Sequence, residues 1–334
     1  MLDERKSAIL SAIVEEYIQT AQPVGSAHVA AAAQVQVSSA TIRNDMAYLE
    51  REGYLAQPHT SAGRIPTEKG YRFFVDHLAA PGLSPTEAQT VGSFFDRAHT
   101  QLEHMLGETS RLLSKLTSYA GVVIGPPRES ALVRNIQVVG LGGRQALVVV
   151  VLSNGTVDQH ALDVDATTSD VELGAATARL NRILVGTPLN QVVVPPPSGD
   201  AALDAIVERV IGVLSRAEDD AQRVYVGGAA NVAGAFAATE TVRNVLSLLE
   251  EQYVVVSLIR ELLGRGVHVA IGTETGMAPL AECSRVIAPY AVEGEPAGSI
   301  GVLGPTRMNY PQALAAVAVV SKSLGQRLSE GSES

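Results

Sequence analysis

After residue 131 the hydrophobic period of this chain changes repeatedly, and the order of those changes limits the folds open to it. From Leu132 onward, NIQVVGLGGRQALVVVVLSNGTVDQHALDV alternates β-branched runs with turn signals at Gly142-Gly143 and Asn154-Gly155, the pattern of an antiparallel meander. Helical spacing returns over 167–250 in VELGAATARLNRILVG, ALDAIVERVIGVLSRAEDDAQ and NVLSLLEEQYVVVSLIREL, with a break at PPPSGD. Strand-like segments resume at VHVAIGT, SRVIAPYAV and AGSIGVLGP, before an amphipathic helix from Pro311 to Leu328. Sheet, helices and sheet again predict one α+β domain, residues 119–166 and 254–334, interrupted by a helical insert at 167–253.

The first 78 residues follow a different plan. KSAILSAIVEEYIQT has the spacing of an amphipathic helix, stopped at Gln22, Pro23, Val24 and Gly25. Ser26 caps a second short helix, SAHVAAAA, and Ser38 caps a third. YLAQPHTSAGRIPT then has room for two short strands around a polar tip, and TEKGYRFFVDHL closes the segment as a helix. Residues 79–118 read as a linker, AAPGLSP, and a connecting helix.

The third helix, SSATIRNDMAYLEREGYL, places Ile42, Met46 and Leu49 on one side, toward a core with the first two helices. Its other side presents Ala40, Asn44, Ala47 and Arg51, flanked by Thr41, Arg43 and Tyr48. Such a face suits the DNA major groove. The alanines permit close approach, Asn44 matches an adenine edge, Arg43 or Arg51 pairs with guanine or phosphate, and the free amides at Ser38 and Ser39 suit a phosphate oxygen. The same helix also reads as a solvated surface element whose arginines pair with Asp45, Glu50 and Glu52. The hairpin favours DNA: HTSAGRIPT has no acid and offers His59, Thr60, Ser61, Arg64 and Thr67, with Lys69 and Arg72 behind, as a wing on phosphates. Three helices and a hairpin make a winged helix-turn-helix.

Length and charge set outer bounds. At 334 residues, 46% of them hydrophobic and 18% charged, the chain has material for two or three cores. A net charge of -10 opposes nucleic-acid binding by the whole molecule, although affinity depends on the groups at the contact. The single cysteine, Cys283, fits a reducing compartment, and no apolar run reaches the roughly 20 residues that cross a bilayer. MLDERKSAIL lacks the order of a signal peptide, so the expected location is the cytoplasm, with no membrane partner.

SSATIRNDMAYLEREGYL and HTSAGRIPTEKGYRFFVD resemble the reading helix and wing of the HrcA family of bacterial heat-inducible transcription repressors. IGTETGMAPLAECS and EGEPAGSIGVLGPTRMNYP resemble its C-terminal signature, with GVV, LVRNIQVV and VYVGGAAN in order between. The resemblance spans essentially the whole chain. It implies a winged helix (1–78), a GAF-like α+β domain (119–166 and 254–334) and an inserted dimerisation domain (167–253). It further implies a homodimer on an inverted-repeat operator, CIRCE, in double-stranded DNA ahead of chaperone operons, and dependence on the GroE chaperonin.

Other chemistry finds little support. VYVGGAANVAG lacks dinucleotide glycine spacing, no Gly-Lys-Ser/Thr is present, and GTETGMAPLAECS and GLGG read as turns. His28, His77, His99, His104, His160 and His268 have no metal spacing, so neither a metal nor a cofactor is expected. No nucleophile, base and orienting group converge, and the chain does not read as an enzyme. Arg307 and Asn309 in TRMNYP are read as a turn into the last helix rather than a ligand contact. A small-molecule sensor built on the GAF-like domain is the alternative from another class.

Overall fold

The computed structural model describes residues 2–31, 37–59, 62–79, 82–97, 102–126, 131–153, 156–216, 224–231, 236, 239–250, 266–292 and 294–332. Asp3 caps α1 (Glu4–Thr20) by accepting from the Lys6 amide, and α1 stops where Ala21 enters the left-handed region at φ 53°. α2 (Ser26–Ala31) and α3 (Ser39–Arg51) follow. Ile9, Ile13 and Val14 of α1 meet Ile42, Met46 and Leu49 of α3 in a common core, as the helical spacing predicts. Each such side chain, once buried, contributes about 1.5–3 kcal/mol.

β1 (Leu55–Ala56) and β2 (Ile65–Pro66) pair antiparallel, and Val24 bridges to Arg64 beside them. This is the wing. Gly63 is required there, since a Cβ would lie 2.4 Å from the Val24 carbonyl oxygen. α4 (Glu68–Asp76), capped by Thr67, closes the head with Tyr71 and Phe74 buried.

The body is built on a five-stranded antiparallel sheet in the order β7-β3-β10-β9-β8. Its strands are β3 (Ala120–Ile124), β7 (Val224–Gly227), β8 (His268–Ile271), β9 (Cys283–Val292) and β10 (Glu295–Pro305). Strand alternation sends Val123, Val286, Ile300 and Val302 to one face, against α5 (Pro85–Phe95), α6 (Leu102–Thr117) and α10 (Tyr310–Ser332). Val122, Ile124, Ile287 and Leu303 turn to the other face, where Val245 and Leu249 of α9 (Thr239–Glu250) cover them.

A second sheet stands apart: β4 (Val133–Gly142), β5 (Gln145–Leu152) and β6 (Val157–Asp163), in that order. Ala146, Val148, Val150 and Leu152 form its inner face and share a core with α7 (Asp170–Leu184) and α8 (Ala201–Arg216). The outer edge of β4 is closed by α7. Asn181 accepts from the Ile136 amide (3.0 Å) and donates to the Ile136 carbonyl (2.6 Å), while Thr177 accepts from the Val138 amide (3.1 Å).

This pairing differs from the boundaries drawn on the sequence. The meander at 133–163, expected in the 119–166 half of the sheet domain, has its own sheet and core, and the unit with α7 and α8 is α+β rather than helical. β7 and α9, expected in the 167–253 insert, pack on the main sheet instead. Periodicity identifies a strand without naming its neighbour, and the two helices next in sequence cover the apolar side of β5. The Asn154-Gly155 turn lies outside the described residues.

Candidate nucleic-acid interface

α3 is fixed at both ends and along its inner side. Ser38 caps it, its hydroxyl accepting from the Thr41 amide (3.2 Å), and Ser39 meets Ser26 of α2 hydroxyl to hydroxyl at 3.0 Å. Those two side chains therefore hold the turn, leaving backbone amides of the first turn as the groups that can meet an anion. Asp45 was a candidate partner for the surface arginines. The structure buries it against α1, where it accepts from Arg5 (2.8 and 3.3 Å) with Lys6 at 3.9 Å.

The outward side is open. Ala40, Arg43, Asn44, Ala47 and Arg51 are exposed along one stripe, and among the described residues neither Arg43 nor Asn44 has a side-chain partner. Arg51 lies 3.9 Å from Glu52 and 5.1 Å from the Tyr48 ring, whose centroid is 5.0 Å from Lys6 Nζ. Tyr48 thus holds two cations beside the stripe. Thr41 is half-buried, its hydroxyl 2.9 Å from that of Ser38.

At the wing, three expected donors have other work. Arg64 donates to Glu50 of α3 (2.9 Å from Nε) and pairs with it through a second nitrogen at 2.8 Å, joining reading helix to wing. Thr67 donates to the Gly53 carbonyl (2.7 Å) and caps α4. Lys69 donates to the Glu52 carbonyl (2.7 Å) at the end of α3, 4.3 Å from the Tyr54 ring. They brace the wing rather than project from it. His59 is exposed near the tip; Thr60 and Ser61 lie outside the described residues.

Sequence reasoning missed the Arg5–Asp45 clamp and the Glu50–Arg64 brace, because each joins residues far apart in sequence. The acid-free wing sequence did not reveal that an acid of α3 meets its arginine. Among the described residues no group of three or more His, Cys, Asp or Glu side chains can hold a metal, and no helix is long and apolar enough to cross a membrane.

A three-helix head with a braced wing and one open polar helix face, carried on a mixed α+β body, defines a winged-helix transcription regulator. Comparison with known proteins narrows the class. Residues 103–314 match the family described as HrcA protein C terminal domain. The chain is 40% identical to the heat-inducible transcription repressor HrcA of Acidothermus cellulolyticus, over 99% of this chain and 100% of that one. It is 39% identical to the repressor of the same name from Nocardia farcinica, covering 98% and 97% of the two chains. A crystal structure of a protein described as hypothetical has the same fold, with a TM-score of 0.69 at 22% identity over 99% of both chains. The chain belongs to the HrcA family of heat-inducible transcription repressors. Its function is negative regulation of heat-inducible transcription, and it is not an enzyme.

Proposed function

We propose that the chain represses chaperone operons as a homodimer, with α3 of each copy in the major groove at one half of an inverted-repeat operator of the CIRCE type. The observation that carries this is the open stripe of Ala40, Arg43, Asn44, Ala47 and Arg51 opposite buried Ile42, Met46 and Leu49. Ser38, Ser39, Thr41 and Tyr48 frame the stripe, and His59, with Thr60 and Ser61 next to it in sequence, is assigned to adjacent phosphates. Arg64, Thr67 and Lys69 act by holding the wing in place. Base reading is tested by titrating the protein on an inverted repeat and on random duplex, with Asn44→Ala and Arg43→Ala. Equal losses on both DNAs refute it.

Dimerisation runs through the unit formed by β4–β6, α7 and α8, which we take as the inserted domain, roughly residues 131–216. The sheet supports this: its face away from α7 and α8 carries Val139, Leu147, Val149, Val151 and Val157 in cross-strand register, with Asn135, Gln137, Gln159 and Ala161 among them and Asp163 at one end beside Gln145. Two such apolar patches are self-complementary about a two-fold axis. Val149→Glu is expected to convert the dimer to monomer in sedimentation velocity and reduce operator affinity to that of one half-site; an unchanged sedimentation coefficient rejects this interface.

The protein acts in the cytoplasm and depends on the GroE chaperonin for activity, which a gel-shift titration with and without chaperonin tests directly. A small-molecule-sensing role for the GAF-like body has one observation in its favour. A cavity of about 390 Å³ lies among Ile18, Ser118, Tyr119, Asn231 and Arg307. A rise in melting temperature with a metabolite and none with palindromic duplex favours that reading.

A further inference from the structure

The IGTETG stretch reads in sequence as a turn. In the structure Gly272–Thr275 forms a 3-10 turn after β8 and receives α4 of the winged head. Glu68, Arg72 and Asp76 lie four residues apart on one side of α4. Glu68 accepts from the Thr273 amide (3.1 Å) and from the Thr273 hydroxyl. Arg72 donates to both oxygens of Glu274, its Nε at 3.0 Å, and gives a further bond to the Val269 carbonyl (2.8 Å) on β8, the edge strand of the main sheet. Asp76 holds Arg72 from the other side at 3.4 Å, and the Ile271 amide holds Glu274 at 3.0 Å.

The two rows match in only one register. Donors of Thr273 face a carboxylate and the Glu274 carboxylate faces a guanidinium; sliding α4 by one helical turn sets Glu68 or Asp76 against Glu274. Gly272 is part of the fit. It sits at φ +55°, and a Cβ there would lie 2.1 Å from a carboxylate oxygen of Glu68. Behind this polar row, the rings of Tyr71 and Tyr310 pack at 5.9 Å.

The geometry points to Glu68 and Arg72 on the head, with Thr273 and Glu274 on the body, as positioning residues that set the angle of α3 and so the operator half-site spacing the dimer accepts. This deepens the proposed function and rests on it. Adding one base pair between half-sites moves the second groove by about 3.4 Å and rotates it by about 35°, so a head held at one angle tolerates few spacings. A head tethered only through the chain leading to α5 tolerates many.

The test uses the full-length protein and duplexes with inverted half-sites separated in single-base-pair steps, plus a duplex with one half-site. Glu274→Gln preserves side-chain volume, and Thr273→Ala removes one hydroxyl, so the pair covers the case in which either variant folds poorly. For both, affinity at the preferred spacing is expected to fall about tenfold or more, while affinity for other spacings and for the single half-site stays within about twofold, flattening the profile. An unchanged profile overturns the inference. So does a uniform loss on every duplex, which marks a merely structural role. If the wild-type protein has no spacing preference and binds the single half-site as well as the repeat, the dimeric-operator reading fails first, and the positioning role falls with it.

Discussion

Asn44→Ala separates base reading from stability more cleanly than any other change in the head. Asn44 is exposed in the middle of α3, and no hydrogen bond or ion pair among the described residues uses its side chain. Truncation therefore breaks nothing within the protein, and alanine's higher helix propensity adds about 0.5 kcal/mol to the stability of α3. On the proposed reading, the loss on DNA is a bidentate contact to adenine, about 1–3 kcal/mol at each half-site. Two half-sites make that about 2–6 kcal/mol, a fall in affinity of at least about 30-fold on the cognate repeat. Random duplex, held through phosphates, should change by less than about twofold. Fluorescence anisotropy at fixed salt measures both affinities, and a thermal melt checks the fold. Ile42→Ala is the contrast: fully buried, it should cost about 2–5 kcal/mol of stability and weaken both DNAs alike. An Asn44→Ala protein that melts lower than wild type, or loses cognate and random DNA equally, refutes the reasoning.

The remaining predictions concern the frame around that helix. Arg64→Ala and Glu50→Ala should each lower stability by about 1–2 kcal/mol, with the double variant costing little more than either, since the pair is part-buried; additive losses in thermal denaturation contradict the brace. Burial, with help from Glu282, pushes the Cys283 thiol up to about 12, so a thiol reagent at pH 8 should label it only as fast as the protein opens; rapid stoichiometric labelling of the folded protein argues against this. Burial raises the Glu274 carboxyl, but bonds from Arg72 and the Ile271 amide outweigh it and hold the group below its ordinary value. Its contribution to stability is thus present above the ordinary glutamate range and lost as pH falls through the lowered value, so the melting temperatures of wild type and Glu274→Gln should converge in acid. A gap that widens there contradicts the assignment.

What the sequence made legible was local. Ile42, Met46 and Leu49 at spacings of four and three define a buried side of α3, and helix geometry alone then assigns Asn44 and Arg43 to the surface. The wing followed from YLAQPHTSAGRIPT, which has room for two short strands around a polar tip. Partnerships across long distances were not legible. Val148 and Val150 announce a strand, yet only the folded chain puts them under α7 and α8 rather than beside β9. Arg64 looked like a phosphate donor because nothing in a one-dimensional pattern brings Glu50 to it, and GTETG looked like a plain turn because its partners lie some two hundred residues earlier.

The same distinction resolves the conflict between an acidic chain and a nucleic-acid role. The net charge of -10 argues against DNA only if the acids stand where the DNA must approach. In the head, Asp3 is engaged by Lys6, Asp45 by Arg5 and Glu68 by Thr273, and Glu50, which lies on the Arg43 side of α3, is paired with Arg64. Those pairs occupy Arg5, Lys6 and Arg64, and Glu274 takes Arg72, which leaves Arg43, Arg51 and Lys69 of the head's Lys and Arg residues without a close carboxylate partner at hydrogen-bond distance, and this has a cost. Few basic groups remain for phosphates, so each head neutralises few of them. With a slope of about −0.9 per neutralised phosphate in log affinity against log salt, binding should depend on salt only shallowly for a repressor of this size. A steep slope would mean that cations now committed to Glu50 or Glu274 are released on DNA, and that the brace and the α4 contact open when the operator is bound.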